Sequence, residues 1–187
     1  MKSIIFTPES IRAILDGKKT QTRRMLKDPA RPRYVAGDTV YAKETWAPAD
    51  FLFDGVERVP AQCIAYVDET ARYCRDSVLE EWVSADTTYW NWRKVKWCSP
   101  LMMPEWASRL RLSIASVRAE LASAITEDDA RAEGVEPIRF HMPGQGPDDE
   151  ARGRDYRHAF KQAWEAMHGP DAWDAMVWRI EFRVVPR

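Results

Sequence analysis

Apolar positions along the chain recur either every second residue or at helical spacing, and they divide it into short elements. Ile4-Ile5-Phe6 predicts a strand. Thr7, Pro8 and Glu9 then supply a cap, a first-position proline and an acid suited to the helix dipole. The helix they open carries Ile11, Ile14 and Leu15 as its apolar stripe, and Gly17 is placed to end it. β-Branched residues favour a strand from Thr20 to Met25, with Thr20, Thr22 and Arg24 on one face. Lys27 to Tyr34 contains Pro29 and Pro32 and is a loop. Gly37-Asp38 turns the chain into a strand from Thr39 to Thr45, which Trp46-Ala47-Pro48 is expected to end.

The pattern becomes uneven between residues 49 and 98. Ala61 to Val67 reads as a strand, but Glu80 to Trp97 mixes Trp82, Trp90, Trp92 and Trp97 with charges and has no period. This stretch reads as an insertion lying against a core. Ser99 to Pro104 is extended, and Glu105-Trp106-Ala107-Ser108 makes a single helical turn. Arg109 to Arg118 is a strong strand, with Leu110, Leu112 and Ile114 on one side and Arg109, Arg111 and Ser113 on the other. Thr126 caps a helix whose first turn holds Glu127, Asp128 and Asp129, and Gly134 ends it. Arg139 to Gly153 reads as a mobile loop, acidic at Asp148-Asp149-Glu150. A helix from Asp155 to Met167 shows Phe160, Ala163, Trp164 and Met167 at helical spacing, and Gly169-Pro170 stops it. Met176 to Val184 is the last strand. Five or six strands with short helices between non-adjacent ones predict an α+β fold, a small mixed β-barrel, as one domain over residues 1–187.

Composition narrows the function classes. Hydrophobic residues make up 45% and charged residues 30% of the 187, so the chain can bury a core without staples. The formal net charge is −1, so no global field draws the protein onto nucleic acid, and any such contact needs a local patch. Cys63, Cys74 and Cys98 are widely spaced and read as reduced thiols of a cytoplasmic protein. His141, His158 and His168 have no zinc-ligand spacing, and neither a metal nor a cofactor is expected. The opening apolar run is too short for a signal peptide or membrane span. No oligomeric state follows from the sequence.

The chemistry concentrates after Gly17. Between Lys18 and Arg33 stand seven cations (Lys18, Lys19, Arg23, Arg24, Lys27, Arg31 and Arg33) and a single acid, Asp28. This favours an anionic partner: a nucleoside, a nucleotide or a short single-stranded RNA segment. Nine tryptophans add flat faces on which bases can stack. Trp46, Trp90 and Trp92 are the irregularly spaced candidates, while Trp164 and Trp178 lie on core-type periods.

Gly17-Lys18-Lys19-Thr20-Gln21-Thr22-Arg23-Arg24 resembles the Gly-x-Lys-x-x-[Glu/Thr]-x-Arg signature of the ASCH domain, a small β-barrel of the PUA-like superfamily. Gly37-Asp38, Ile125-Thr126-Glu127, Glu133-Gly134 and Val177-Trp178-Arg179-Ile180-Glu181-Phe182 also fit, in order. Met103-Pro104-Glu105-Trp106-Ala107-Ser108-Arg109 is similar to a segment of the longer ASCH proteins carried by phages and prophages. The resemblance covers both ends of the chain and leaves out about residues 49–89.

It implies a protein directed at nucleosides or RNA. Small bacterial ASCH proteins hydrolyse the N4-acyl group of acetylated cytidine with a lysine, a threonine and a glutamate, which fall here on Lys19, Thr22 and Glu133. The signature arginine falls on Arg24, and Arg23, Lys18 and Trp46 complete the expected substrate contacts. Chemically, Thr22 is the nucleophile, a desolvated Lys19 its base and Glu133 the donor to the leaving amine, with Arg24 gripping an anionic group. A non-catalytic module binding RNA or a modified base is the alternative. A ribonuclease is a third, without a suitably placed histidine pair.

Two bland readings stand beside these. Lys18, Lys19 and Arg23 can form a solvated face, and Glu133, an acid in the last turn of a helix, can be held there by an ion pair with Arg24. Regular strand geometry would also put Lys19 and Thr22 on opposite faces, so a shared site requires a turn or bulge between them.

Overall fold

The structure, a computed structural model, describes residues 1–187 except 29, 54–56, 67–71, 75–95, 142–151 and 187; of residues 48–53, 57–65, 72–74, 139–141 and 152–154 it describes the backbone. Trp82, Trp90, Trp92 and Asp148-Asp149-Glu150 lie outside the described residues. The chain is α+β and divides into two compact units. The first comprises Met1–Arg12, Thr39–Arg111 and Val185–Arg187, the second Ala13–Asp38 and Leu112–Val184.

In the first unit, β1 (Lys2–Ile5) pairs in parallel with β3 (Thr39–Lys43), Lys2 opposite Val40. A parallel pair needs a crossover, and α1 (Pro8–Leu15) lies on the path between them. Ile4, Phe6, Ile11, Val40, Ala42 and Leu110 are buried, as their spacing predicts. Leu15, assigned by its spacing to the same stripe, is instead exposed.

The chain does not leave extended structure at Pro48. Trp46 opens β4 (Trp46–Phe53), which pairs antiparallel with β5 (Glu57–Tyr66), and β6 (Arg72–Cys74) completes this sheet in the order β4-β5-β6. An edge strand accepts a proline because one side of its backbone needs no donor, which is why Pro48 fails as a stop signal. Single turns of 3-10 helix span Pro100–Met102 and Glu105–Ala107.

In the second unit, β10 (Met176–Val185) pairs antiparallel with β2 (Gln21–Met25), so that Thr22 faces Ile180, Arg23 faces Arg179 and Arg24 faces Trp178. β7 (Arg111–Leu121) lies in this unit from Leu112 onward. Leu112 and Ile114 are buried, as their alternation predicts. The Thr126 hydroxyl accepts the Asp129 N–H at 3.1 Å and caps α2 (Glu127–Ala132).

The expected loop from Arg139 to Gly153 is a strand at each end: β8 (Ile138–His141) pairs antiparallel with β9 (Arg152–Asp155). Arg152-Gly153-Arg154-Asp155 carries no apolar alternation, and pairing with a distant partner makes the strand. Asp155 caps α3 (Tyr156–His168), accepting the His158 N–H at 2.6 Å. Phe160 and Trp164 are buried with Ala122, Ile125, Ala130 and Val177, while Ala163 and Met167 are exposed, so the apolar stripe is narrower than its spacing suggests. No helix among the described residues is long and apolar enough to cross a membrane.

Candidate functional site

The site of the second unit begins with a helix end and a turn. Gly17 has φ +70°, a conformation that glycine adopts without strain, and it turns the chain after α1. The N–H groups of Lys18 and Lys19 then both donate to the Ala13 carbonyl, at 2.8 and 2.9 Å. Lys19 makes an isolated antiparallel bridge with Glu133, and Thr20 donates to the Ala132 carbonyl at 2.9 Å. Regular β2 starts only at Gln21. The turn thus lies at Asp16-Gly17, ahead of Lys19, and no turn or bulge separates Lys19 from Thr22, as a shared site would require.

Gly134 makes this approach possible. At φ +76° it ends α2, and a Cβ there would stand 2.8 Å from the Lys19 Cβ and 2.9 Å from the Ala13 Cβ. Only a residue without a side chain lets Lys19 lie so close to the helix end.

Lys19 and Glu133 are both about 6% exposed. The Lys19 ammonium donates to Glu133 Oε2 at 2.8 Å and to the Glu133 carbonyl at 2.6 Å. It thus satisfies a terminal carbonyl of α2 and offsets an acid that the helix dipole disfavours there. The other oxygen, Oε1, accepts from Arg23 Nη1 at 3.1 Å. Glu133 is therefore paired with Lys19 and Arg23. Its charge also reaches Arg24, whose pKa burial lowers and the Glu133 and Tyr34 charges partly restore.

Arg23 is wholly enclosed: Nε and Nη2 bind Glu120 Oε1 at 3.0 and 2.6 Å, and Nη2 lies 3.3 Å from Asp129 Oδ2. Behind it, Arg179 meets both Asp129 oxygens at 2.7 and 3.2 Å and Glu181 at 2.6 Å. Gln21 joins the two residues, accepting from Arg179 Nε at 2.9 Å and donating to the Asp129 carbonyl at 2.6 Å. The solvated-face reading thus fails for Lys19 and Arg23. It fits Lys18, which is exposed and lies 3.4 Å from Glu136 and 3.8 Å from Asp16.

Thr22 is buried at 5% exposure, and its hydroxyl makes no hydrogen bond among the described residues. Gln21 and Arg23 reach α2 from one face of β2, so Thr22 projects to the other, together with half-buried Arg24. Lys19 and Glu133 are brought into direct contact, whereas Thr22 lies with Arg24 on the opposite face of β2 and is not among their hydrogen-bond partners. His168, at the end of α3, lies 4.2 Å from the Trp164 ring, and burial and then the Arg24 charge lower its pKa.

Trp46 belongs to the first unit. It is buried there with Tyr66, Met103 and Ala107 and meets Trp106 edge-on at 6.4 Å. Beside it, Arg109 Nε and Nη2 bind the two oxygens of Glu44 at 2.8 and 2.7 Å, and the guanidinium lies 4.3 Å from the Tyr66 ring centre. The Tyr66 hydroxyl donates to the Ala107 carbonyl at 2.7 Å.

Sequence reasoning missed both the Glu44–Arg109 pair and the partners of Arg23. A usable signal existed for the second: Gln21 and Arg23 on one strand and Arg179 and Glu181 on another share the parity of a polar face. The register that matches them was not readable. Among the described residues no three His, Cys, Asp or Glu side chains gather to hold a metal ion.

No family model matches the chain, and no curated protein does. Among solved structures it is similar to the ASCH domain from Lactobacillus crispatus JV V101, at 12% identity and a TM-score of 0.40, over 98% of this chain and 78% of that one. A likeness at this level assigns no residue.

Proposed function

We propose that the chain is an ASCH-domain protein acting on nucleosides, and that it hydrolyses the N4-acyl group of acetylated cytidine. The motif from Gly17 to Arg24 supports the family, and the buried 2.8 Å bond between Lys19 and Glu133, 114 positions apart in sequence, carries the chemical reading. Two ionisable groups held together away from water can exchange a proton over one hydrogen bond, which is what attack on an amide requires.

This reading requires substrate binding to bring the Thr22 hydroxyl, which lies on the other face of β2, to Lys19; Lys19 then passes a proton to Glu133 Oε2 and takes the proton of that hydroxyl. Thr22 Oγ bonds to the acyl carbon, and as the carbon–N4 bond breaks, Glu133 protonates the departing amine. Water then attacks the acyl–threonine ester, one water proton passes back through Lys19 to Thr22 Oγ, and the acid is released. The sum is amide plus water to carboxylic acid plus amine. Arg24, on the face of Thr22, orients the substrate through a hydrogen-bond acceptor or anionic group.

The deciding experiment follows acetate release from N4-acetylcytidine by wild type, Thr22→Ala, Lys19→Met and Glu133→Gln. Turnover that falls at least about a thousandfold in each folded variant supports the reading. Absence of turnover in the wild type, with salt-sensitive RNA binding weakened by Arg24→Ala, overturns it in favour of a binding module.

A further inference from the structure

We propose that Arg23 is the positioning residue of the Lys19–Glu133 pair, holding the Glu133 carboxylate so that Oε2 faces the lysine. Arg23 lies outside the resembled signature and was expected to contact substrate. Among the described residues its guanidinium meets protein groups: Glu120 at 2.6 and 3.0 Å, Asp129 at 3.3 Å, Glu133 at 3.1 Å and the Phe160 ring centre at 5.7 Å. A guanidinium is planar, with its donors in fixed directions, so anchoring one edge fixes the other. Glu120 takes the Nε–Nη2 edge, which aims Nη1 at Glu133 Oε1. Asp129 cannot yield, because Arg179 grips both of its oxygens.

A merely neutralising arginine is a poorer account. Asp129 already has Arg179 at 2.7 Å, and Glu120 has Arg118 at 3.3 Å. Glu133 itself already has Lys19. Arg179 also serves Glu181 at 2.6 Å, so Arg23 contributes to the charge balance, but balance does not set direction: with Oε1 taken by Nη1, Oε2 alone is left for the ammonium.

The test uses the full chain with Arg23→Met and Glu120→Gln combined. This variant removes one charge of each sign and leaves Asp129 with Arg179 and Glu133 with Lys19. Lysine-selective 15N NMR reads Lys19 directly. In the wild type its ammonium protons exchange slowly, and in the double variant exchange accelerates on the order of tenfold, the effect of releasing one partner of a charged hydrogen bond. An unchanged Lys19 signal in the folded variant overturns the proposal, as does a wild type without a protected signal.

The kinetic arm rests on the proposed hydrolysis. There kcat falls about tenfold while KM stays within about twofold, since substrate contacts are untouched. Wild-type inactivity would defeat the hydrolase reading and leave the NMR result to decide the role of Arg23. Should the double variant not fold, Glu120→Gln alone frees the Nε–Nη2 edge; faster Lys19 exchange supports the proposal and wild-type exchange overturns it.

Discussion

Among the described residues each unit buries one glutamate against cations, and the two glutamates are used differently. Glu44 gives both oxygens to one guanidinium, at 2.8 and 2.7 Å, under the cover of the Tyr66 ring. Glu133 divides its oxygens between an ammonium at 2.8 Å and a guanidinium at 3.1 Å. The first joins a carboxylate to a group that never gives up its proton, so no proton passes between the two. The second sets a carboxylate against a lysine, whose proton can move, at the edge of a strand that also carries a buried hydroxyl. Under the proposed hydrolysis it is the sharing of Glu133 with a lysine, and not the burial of charge as such, that sets the two pairs apart.

That contrast can be broken from either side. The largest effect is expected at the shared acid: Lys19→Arg keeps the charge but removes the proton exchange, and deacylation falls at least about a thousandfold in a steady-state assay. Retained turnover would erase the distinction between the two pairs.

Next comes the pair of the first unit. Arg109→Met removes the guanidinium that binds both oxygens of buried Glu44, costing about 3–5 kcal/mol in urea denaturation. Glu44→Met combined with Arg109→Met costs far less, because no charge is stranded. Equal losses in the single and double variants would mean that the pair does more than neutralise itself.

Gly134→Ala sharpens the comparison more mildly. The φ of +76° alone costs an alanine about 1–3 kcal/mol, and its methyl meets Lys19 and Ala13 at 2.8 and 2.9 Å. Thermal unfolding records the stability loss, and the Lys19 NMR signal shifts with it. An unperturbed Lys19 signal would separate the helix end from the site.

The smallest effect is a pH slope. His168 has its pKa lowered from 6.5, first by burial and then by the Arg24 charge, so the folded chain binds fewer protons than the unfolded one just below pH 6.5. Its contribution is complete above pH 6.5 and is lost as pH falls through the folded value. His168 is mostly exposed, so solvent screening keeps the slope shallow. His168→Gln should flatten it in denaturation series taken at successive pH values, and an identical slope in the variant would mean that His168 does not supply it.

Much of the second unit was legible because its signals are local. Gly17 and Gly134 end helices, Thr126 caps one, and Leu112 and Ile114 alternate into a core, each within a few residues of the element it shapes. Where a partner was needed, reading failed. β4 runs through Pro48 because it is an edge strand, and β9 exists because β8 pairs with it. Likewise Arg23 looked like a surface cation because Glu120, Asp129 and Glu133 lie about a hundred residues away.

The sequence by itself determined the helix ends, the caps, the alternating strands and the candidate trio of Lys19, Thr22 and Glu133, since propensity and resemblance act on short stretches. Tertiary structure alone decided which charges meet. Lys19 finds Glu133 across 114 positions and Arg109 finds Glu44 across 65. A charge's partner depends on strand register and chain closure, and these are settled only when the whole core packs.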